Sequence, residues 1–277
     1  MKLAEQLEII LENRIAQDSL TLPLLPAIAA KANDVVRRAD ATVQDLVASI
    51  EIDPILAALV MRQVAGGGCR TFEQAVNKLG VQKMRSLMAE TSAHRVTDSR
   101  DPKTMEATRL LWDHARAVAI LAQSVAVLAG VEEPDVCFMA GLLHDIGKPV
   151  VATMLLEAEA QIVQRNPKLW IDGDTWIGVV ARTHRKIAVD LAKKWQFPEE
   201  VQNAVLVFSD YDAANRQSIT NAVHFANALV KQLGIYLGDV PADDNDALVM
   251  VGRSLLGIDD DGIARVTADI KTRCRLA

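Results

Sequence analysis

The chain has 277 residues, half of them apolar and 24% charged, with a net charge of −6 at pH 7. That length can bury a large core without disulfide staples, and the apolar content excludes an intrinsically disordered chain. The acidic balance excludes a general attraction to nucleic-acid phosphates or anionic membrane surfaces, and the separated Cys69, Cys137 and Cys274 exclude a disulfide framework or thiolate zinc site.

Apolar residues recur at helical spacing almost throughout and no segment sustains a period of two, which predicts an all-α fold of two packed helical subdomains. At the N-terminus, Leu3, Leu7, Ile10 and Leu11 share one helical face, while Glu5, Glu8, Glu12 and Arg14 interrupt any signal-peptide core. No eighteen apolar residues run together, so the expectation is a soluble cytoplasmic protein without a membrane span. Pro23 and Pro26 lead into a second helix, Asp40 or Thr42 caps a third, and Asp53-Pro54 supplies a cap and an N1 proline for a fourth that Gly66, Gly67 and Gly68 end. "RTFEQAVNKLGVQKMRSLMAE" predicts a short helix stopped near Gly80 and a longer one beyond it.

The polar stretch 97–104 breaks this pattern and is the expected subdomain boundary, giving an N-terminal subdomain 1–100, a second at 101–240 and a helical extension at 241–277. Beyond the break, Leu111, Ala115, Val118, Ala122 and Val125 form an apolar stripe with His114 beside it. The helix "PDVCFMAGLLHDIG" delivers His144 and Asp145 at its end. A later helix carries Ile177, Val180, Ile187, Leu191 and Trp195 on one face with His184 among them, and the next places Asn227 between Val223 and Val230. Helices thus aim His114, the His144/Asp145 pair, His184 and Asn227 inward. A lone histidine on an apolar face is ordinarily a satisfied core residue, but an adjacent His-Asp pair needs partners for several polar atoms, and a shared cluster supplies them. Either the group holds a divalent ion, or it is a polar cluster kept for its hydrogen bonds; the residues alone leave both open.

"GLLHDIGK", preceded by "LWDHARAVA" and followed by "THRKIAVDLAKKWQFPEE" and "VHFANAL", resembles the HD phosphohydrolase superfamily, and specifically its HDOD branch. The N-terminal stretches "LPLLPAIAAKAND", "LVASIEIDPILAALVMRQVA" and "TFEQAVNKLGVQKMRSLM" are similar to the HDOD pattern, so the likeness runs over roughly residues 20–234 and implies an HD-like C-terminal subdomain. In active HD enzymes a histidine, the His-Asp doublet and a later aspartate bind a divalent ion whose water attacks a phosphoester. Those positions correspond to His114, His144, Asp145 and Asn227, with His184 as a further candidate ligand; an amide thus stands where the last carboxylate is expected. The additional histidines of the two-metal HD-GYP branch have no counterpart in "NAVLVFSDYDAAN".

Asn227 is a neutral, weaker oxygen ligand than aspartate and leaves positive charge uncompensated. The resemblance therefore implies a bacterial signal-transduction module that acts through protein contacts, with no catalytic residue assigned and little or no hydrolysis. Its cofactor is none, or one weakly held ion of manganese, iron, zinc or magnesium; its partners are signalling proteins, with a nucleotide as a further ligand and neither nucleic acid nor membrane. The alternative is a metal-dependent phosphohydrolase acting on a nucleotide or other phosphoester. Lys148 is an anion contact or a neutraliser of the preceding helix end. Arg182, Arg185, Lys186, Lys193 and Lys194 are expected to form a solvated helix face, and "PADDNDA" and "IDDDG" to be caps and loops.

Overall fold

The computed structural model describes residues 22–274 apart from 95, 207–209 and 239–240, together with 9, 10, 13, 14 and 17, of which 9, 10, 13 and 14 are helical. The expected N-terminal helix of Leu3, Leu7, Ile10 and Leu11 falls largely outside the described residues. Among those described from residue 22 onward there are twelve helices: α1 Pro26–Arg37, α2 Val43–Ile50, α3 Pro54–Gln63, α4 Phe72–Ala93, α5 Pro102–Ala129, α6 Pro134–Leu143, α7 Gly147–Arg165, α8 Gly173–Lys194, α9 Glu199–Leu206, α10 Ile219–Gln232, α11 Ala242–Leu256 and α12 Asp260–Cys274. The fold is all-α, and its core is built from helix stripes of Ala, Leu, Val and Ile.

Local chemistry sets the helix ends. Thr42, rather than Asp40, caps α2, in a reciprocal box with Asp45. Asp53, fully buried, caps α3 by accepting from the Leu56 N–H at 2.6 Å, and Pro54 follows at the first helical position, where its missing N–H costs nothing. Gly80 adopts φ 76°, so α4 is two helical pieces joined at a kink. Asp101 receives the Lys103 N–H at the start of α5 and, through its other oxygen, the Gly173 N–H at the start of α8. Helix α7 escapes a reading by amphipathic stripe, because burial is continuous from Gly147 to Leu156 and no polar face there sets the period.

Residues 134–165 are long and apolar enough by length and composition to cross a membrane, with a mean hydropathy of 1.2, yet 94% of that window is buried inside the protein. The expectation of no such stretch rested on uninterrupted apolar runs. His144, Asp145 and Lys148 interrupt this one without lowering its average far, and a helix apolar on all sides is what a core position surrounded by other helices requires.

The chain forms two compact units, each discontinuous in sequence: residues 1–109 with 145–197, and 110–144 with 198–277. In the first, α4 packs against α1, α2 and α3, α3 touches α7, and α7 lies along α8. Leu46, Ile50, Ile55, Leu56, Met84 and Trp176 are among its fully buried side chains. In the second, α10 packs against α6 and α11, and α9 against α6 and α10, around Leu121, Met139, Leu142 and Phe225.

Candidate metal centre

In the second unit, His114 sits midway along α5 and is 2% exposed, inside the stripe of Leu111, Ala115, Val118, Ala122 and Val125, all buried. Helix α6 can lie close to α5 because of Gly141. A Cβ there would stand 2.9 Å from the Ala119 Cα and 3.1 Å from the Val118 carbonyl oxygen, closer than backbone tolerates. This approach brings His144, 4% exposed at the C-terminal end of α6, to His114, with ring centroids 5.4 Å apart.

Both rings are oriented by backbone. His114 Nδ1 lies 2.7 Å from the Ile235 carbonyl oxygen and His144 Nδ1 lies 2.8 Å from that of Gly141. A carbonyl only accepts, so each Nδ1 carries the hydrogen, and in a neutral imidazole Nε2 then holds the lone pair that a metal needs. Tyr236 stands edge-on to His114 at 5.5 Å, and Lys231 Nζ lies 4.8 Å from the Tyr236 ring centroid. Ile235 and Tyr236 follow the end of α10 outside any periodic stripe, so spacing does not reveal them. The one signal is the scarcity of tyrosine, two in the chain.

Asp145, peptide-bonded to His144, begins the second segment of the first unit. His114, His144 and Asp145 each offer one ligand atom, all within 4.8 Å of one another. This three-residue set is minimal. His184 stands outside it, in the first unit on α8; its Nδ1 donates to the Val180 carbonyl at 2.8 Å, and burial holds its pKa below the usual imidazole value, with Asp145 opposing and Lys148 reinforcing that shift. Asn227, on α10 in the second unit, has its Oδ1 buried without a hydrogen-bond partner. Lys148 Nζ lies 2.6 Å from Asp145 Oδ2, with side chains 7% and 15% exposed, so Lys148 is an ion-pair partner of the doublet.

The stripe on α8 is broader than the expected one: Val180, Ile187, Leu191 and Trp195 are buried together with Trp176, Val179 and Thr183, while Ile177 is half-buried. Arg182, Arg185, Lys186, Lys193 and Lys194 are exposed, as a solvated face requires. "PADDNDA" and "IDDDG" supply first-turn aspartates to α11 and α12. A cleft of about 740 Å³ in the second unit is lined by Glu132, Glu133, Glu199, Glu200, Asp210 and Asp212, a field that repels phosphate esters.

Two imidazoles with oriented Nε2 atoms and a carboxylate suit a divalent ion in kind. One carboxylate, itself held by an ammonium, suits it weakly in charge. His114, His144 and Asp145 are the residues that would hold it; an ion there would polarise a bound water or phosphoryl oxygen.

An all-helical domain in which a buried histidine on one helix meets a His-Asp doublet at the junction of two others defines the HD-like class. Residues 22–211 match the HDOD domain family, and the chain belongs to that family. An uncharacterized protein of Treponema pallidum (strain Nichols) is 25% identical over 251 residues, covering 85% of this chain; the chain spans only 45% of that relative's length. Among solved structures, the MmoQ response regulator from Methylococcus capsulatus str. Bath is similar at a TM-score of 0.63 and 22% identity, over 89% of this chain and 98% of that one. A fragment of the same protein gives 0.58 and 22%, over 88% and 94%. At this identity the likeness shows a shared fold.

Proposed function

We propose that the chain is a signal-transduction module that acts through contacts with other signalling proteins, its His/His/Asp cluster being a weak, optional divalent-ion site with little or no phosphohydrolase activity. The observation that carries this reading is the Asp145 carboxylate, the one acidic ligand of the cluster, engaged at 2.6 Å by Lys148. The near-complete burial of His114 and His144 supports it, because hydrolysis needs room for a phosphoester beside the ion. His184 and Asn227 are proposed as outlying members of the same site. The cytoplasm is the proposed location, a nucleotide the proposed small ligand, and 1–100, 101–240 and 241–277 the proposed functional segments.

The backbone-oriented rings of His114, His144 and His184 favour the second reading, a metal-dependent phosphohydrolase, since ligand histidines usually donate their other N–H in this way. Elemental analysis of protein purified without chelators separates the two. Substoichiometric metal supports the module; a full equivalent of manganese, iron or zinc that survives dialysis supports the enzyme.

A further inference from the structure

The Asp145–Lys148 pair bears on how any cation reaches the cluster. Lys148 is the second residue of α7, and its N–H donates to the Asp145 carbonyl at 2.9 Å, so the two side chains leave the same turn. Its ammonium is 2.6 Å from Asp145 Oδ2, and the residue is 6% exposed. An ammonium so far from water has to keep an acceptor, and the half-buried Asp145 carboxylate supplies it. An ion coordinated by the Asp145 carboxylate, at about 2.0 to 2.2 Å from its oxygen, would stand within about 5 Å of Nζ. Like charges at that distance in a poorly solvated site repel strongly.

We propose that Lys148 is a built-in counter-ion for Asp145 that competes with divalent cations for the carboxylate, so that metal binds by displacing the ammonium rather than by filling a ready site. This rests on reading His114, His144 and Asp145 as a weak metal centre. The displaced group belongs to the first turn of α7, where Gly147 meets the His184 backbone, so cation occupancy is tied to the seat of α7 against α8. The site then responds to free cation concentration instead of holding an ion permanently.

Calorimetric titration of the full chain with Mn²⁺ alone, comparing wild type with Lys148→Met, Lys148→Arg and His114→Ala, tests this. Lys148→Met is expected to bind at least about tenfold more tightly than wild type, equivalent to about 1.4 kcal/mol. Lys148→Arg, which keeps the charge, is expected to remain near wild type, and His114→Ala to lose binding. Wild-type binding that His114→Ala abolishes but Lys148→Met leaves unchanged or weaker overturns the proposal and spares the metal reading. No binding by any protein overturns both. Thermal melts in chelator give a second measure: Lys148→Met is expected to melt below wild type and the double variant with Asp145→Asn to recover; a double variant no better than the single overturns the counter-ion role. Lys148→Gln, which keeps a donor for Asp145, replaces Lys148→Met if the latter does not fold.

Discussion

Gly147 and His184 meet backbone to backbone: a Cβ on Gly147 would lie 1.8 Å from the His184 carbonyl oxygen and 3.0 Å from the Ala188 nitrogen. The glycine in the "HDIGK" stretch is therefore a packing requirement between α7 and α8, which also sets where His184 stands. Gly147→Ala is expected to force the two helices apart at a cost of about 1 to 3 kcal/mol. Gly178→Ala is the control on α8, because its Cβ meets only the flexible Arg182 guanidinium, at 3.2 Å. That change is expected to be neutral or to stabilise by up to about 1 kcal/mol through helix propensity. Urea midpoints moving in the same direction for both variants would contradict the assignment.

The cap of α3 offers a second check. Asp53 is fully buried and its carboxylate holds the Leu56 N–H at 2.6 Å. Asp53→Ala is expected to lower unfolding free energy by about 1 to 2 kcal/mol, and Asp53→Asn, which retains the acceptor, by much less. Equal losses in urea denaturation would show that the carboxylate's charge, not its cap bond, matters there.

Cys137, on α6, has its thiol pushed up to about 12, chiefly by burial and secondarily by Glu133. Cys69, Cys137 and Cys274 are all buried. Because the thiolate is the reactive form, native protein is expected to resist a thiol-disulfide reagent at about pH 8 and to titrate all of its cysteines once denatured. Rapid labelling of Cys137 in the folded state, read by peptide mass spectrometry, would contradict this burial.

Asn227→Asp separates charge from shape at the position proposed as an outlying ligand. The amide oxygen is already buried without a donor, so a carboxylate there is expected to cost about 1 to 3 kcal/mol in chelator. With manganese or zinc the variant is expected to gain more in melting temperature than wild type, since an ion that binds only the native state stabilises it by mass action. Equal metal-induced shifts would remove Asn227 from the site.

Much of this arrangement is legible in sequence because its causes are local. The 3.6-residue period around Leu111, Val118 and Val125 places His114 inward, and Asp53-Pro54 and Thr42 mark helix starts by cap chemistry. Adjacent His144 and Asp145 announce a polar cluster within an apolar run. What stays hidden depends on contacts distant along the chain: the Ile235 carbonyl that orients His114, the Tyr236 ring beside it, and the backbone approach that requires Gly147. Helix α7 is hidden for the opposite reason, since burial on every side erases the stripe that betrays a surface helix. The direction of Lys148 depends on a turn geometry that composition does not encode.

The most direct test of the central claim is hydrolysis measured on the manganese-loaded 277-residue chain against cyclic dinucleotides and nucleoside phosphates, with His144→Ala alongside. The expected result is no release of product above the His144→Ala background. Turnover on the order of 1 per second or faster, abolished by His144→Ala, would contradict it and make the cluster an active centre.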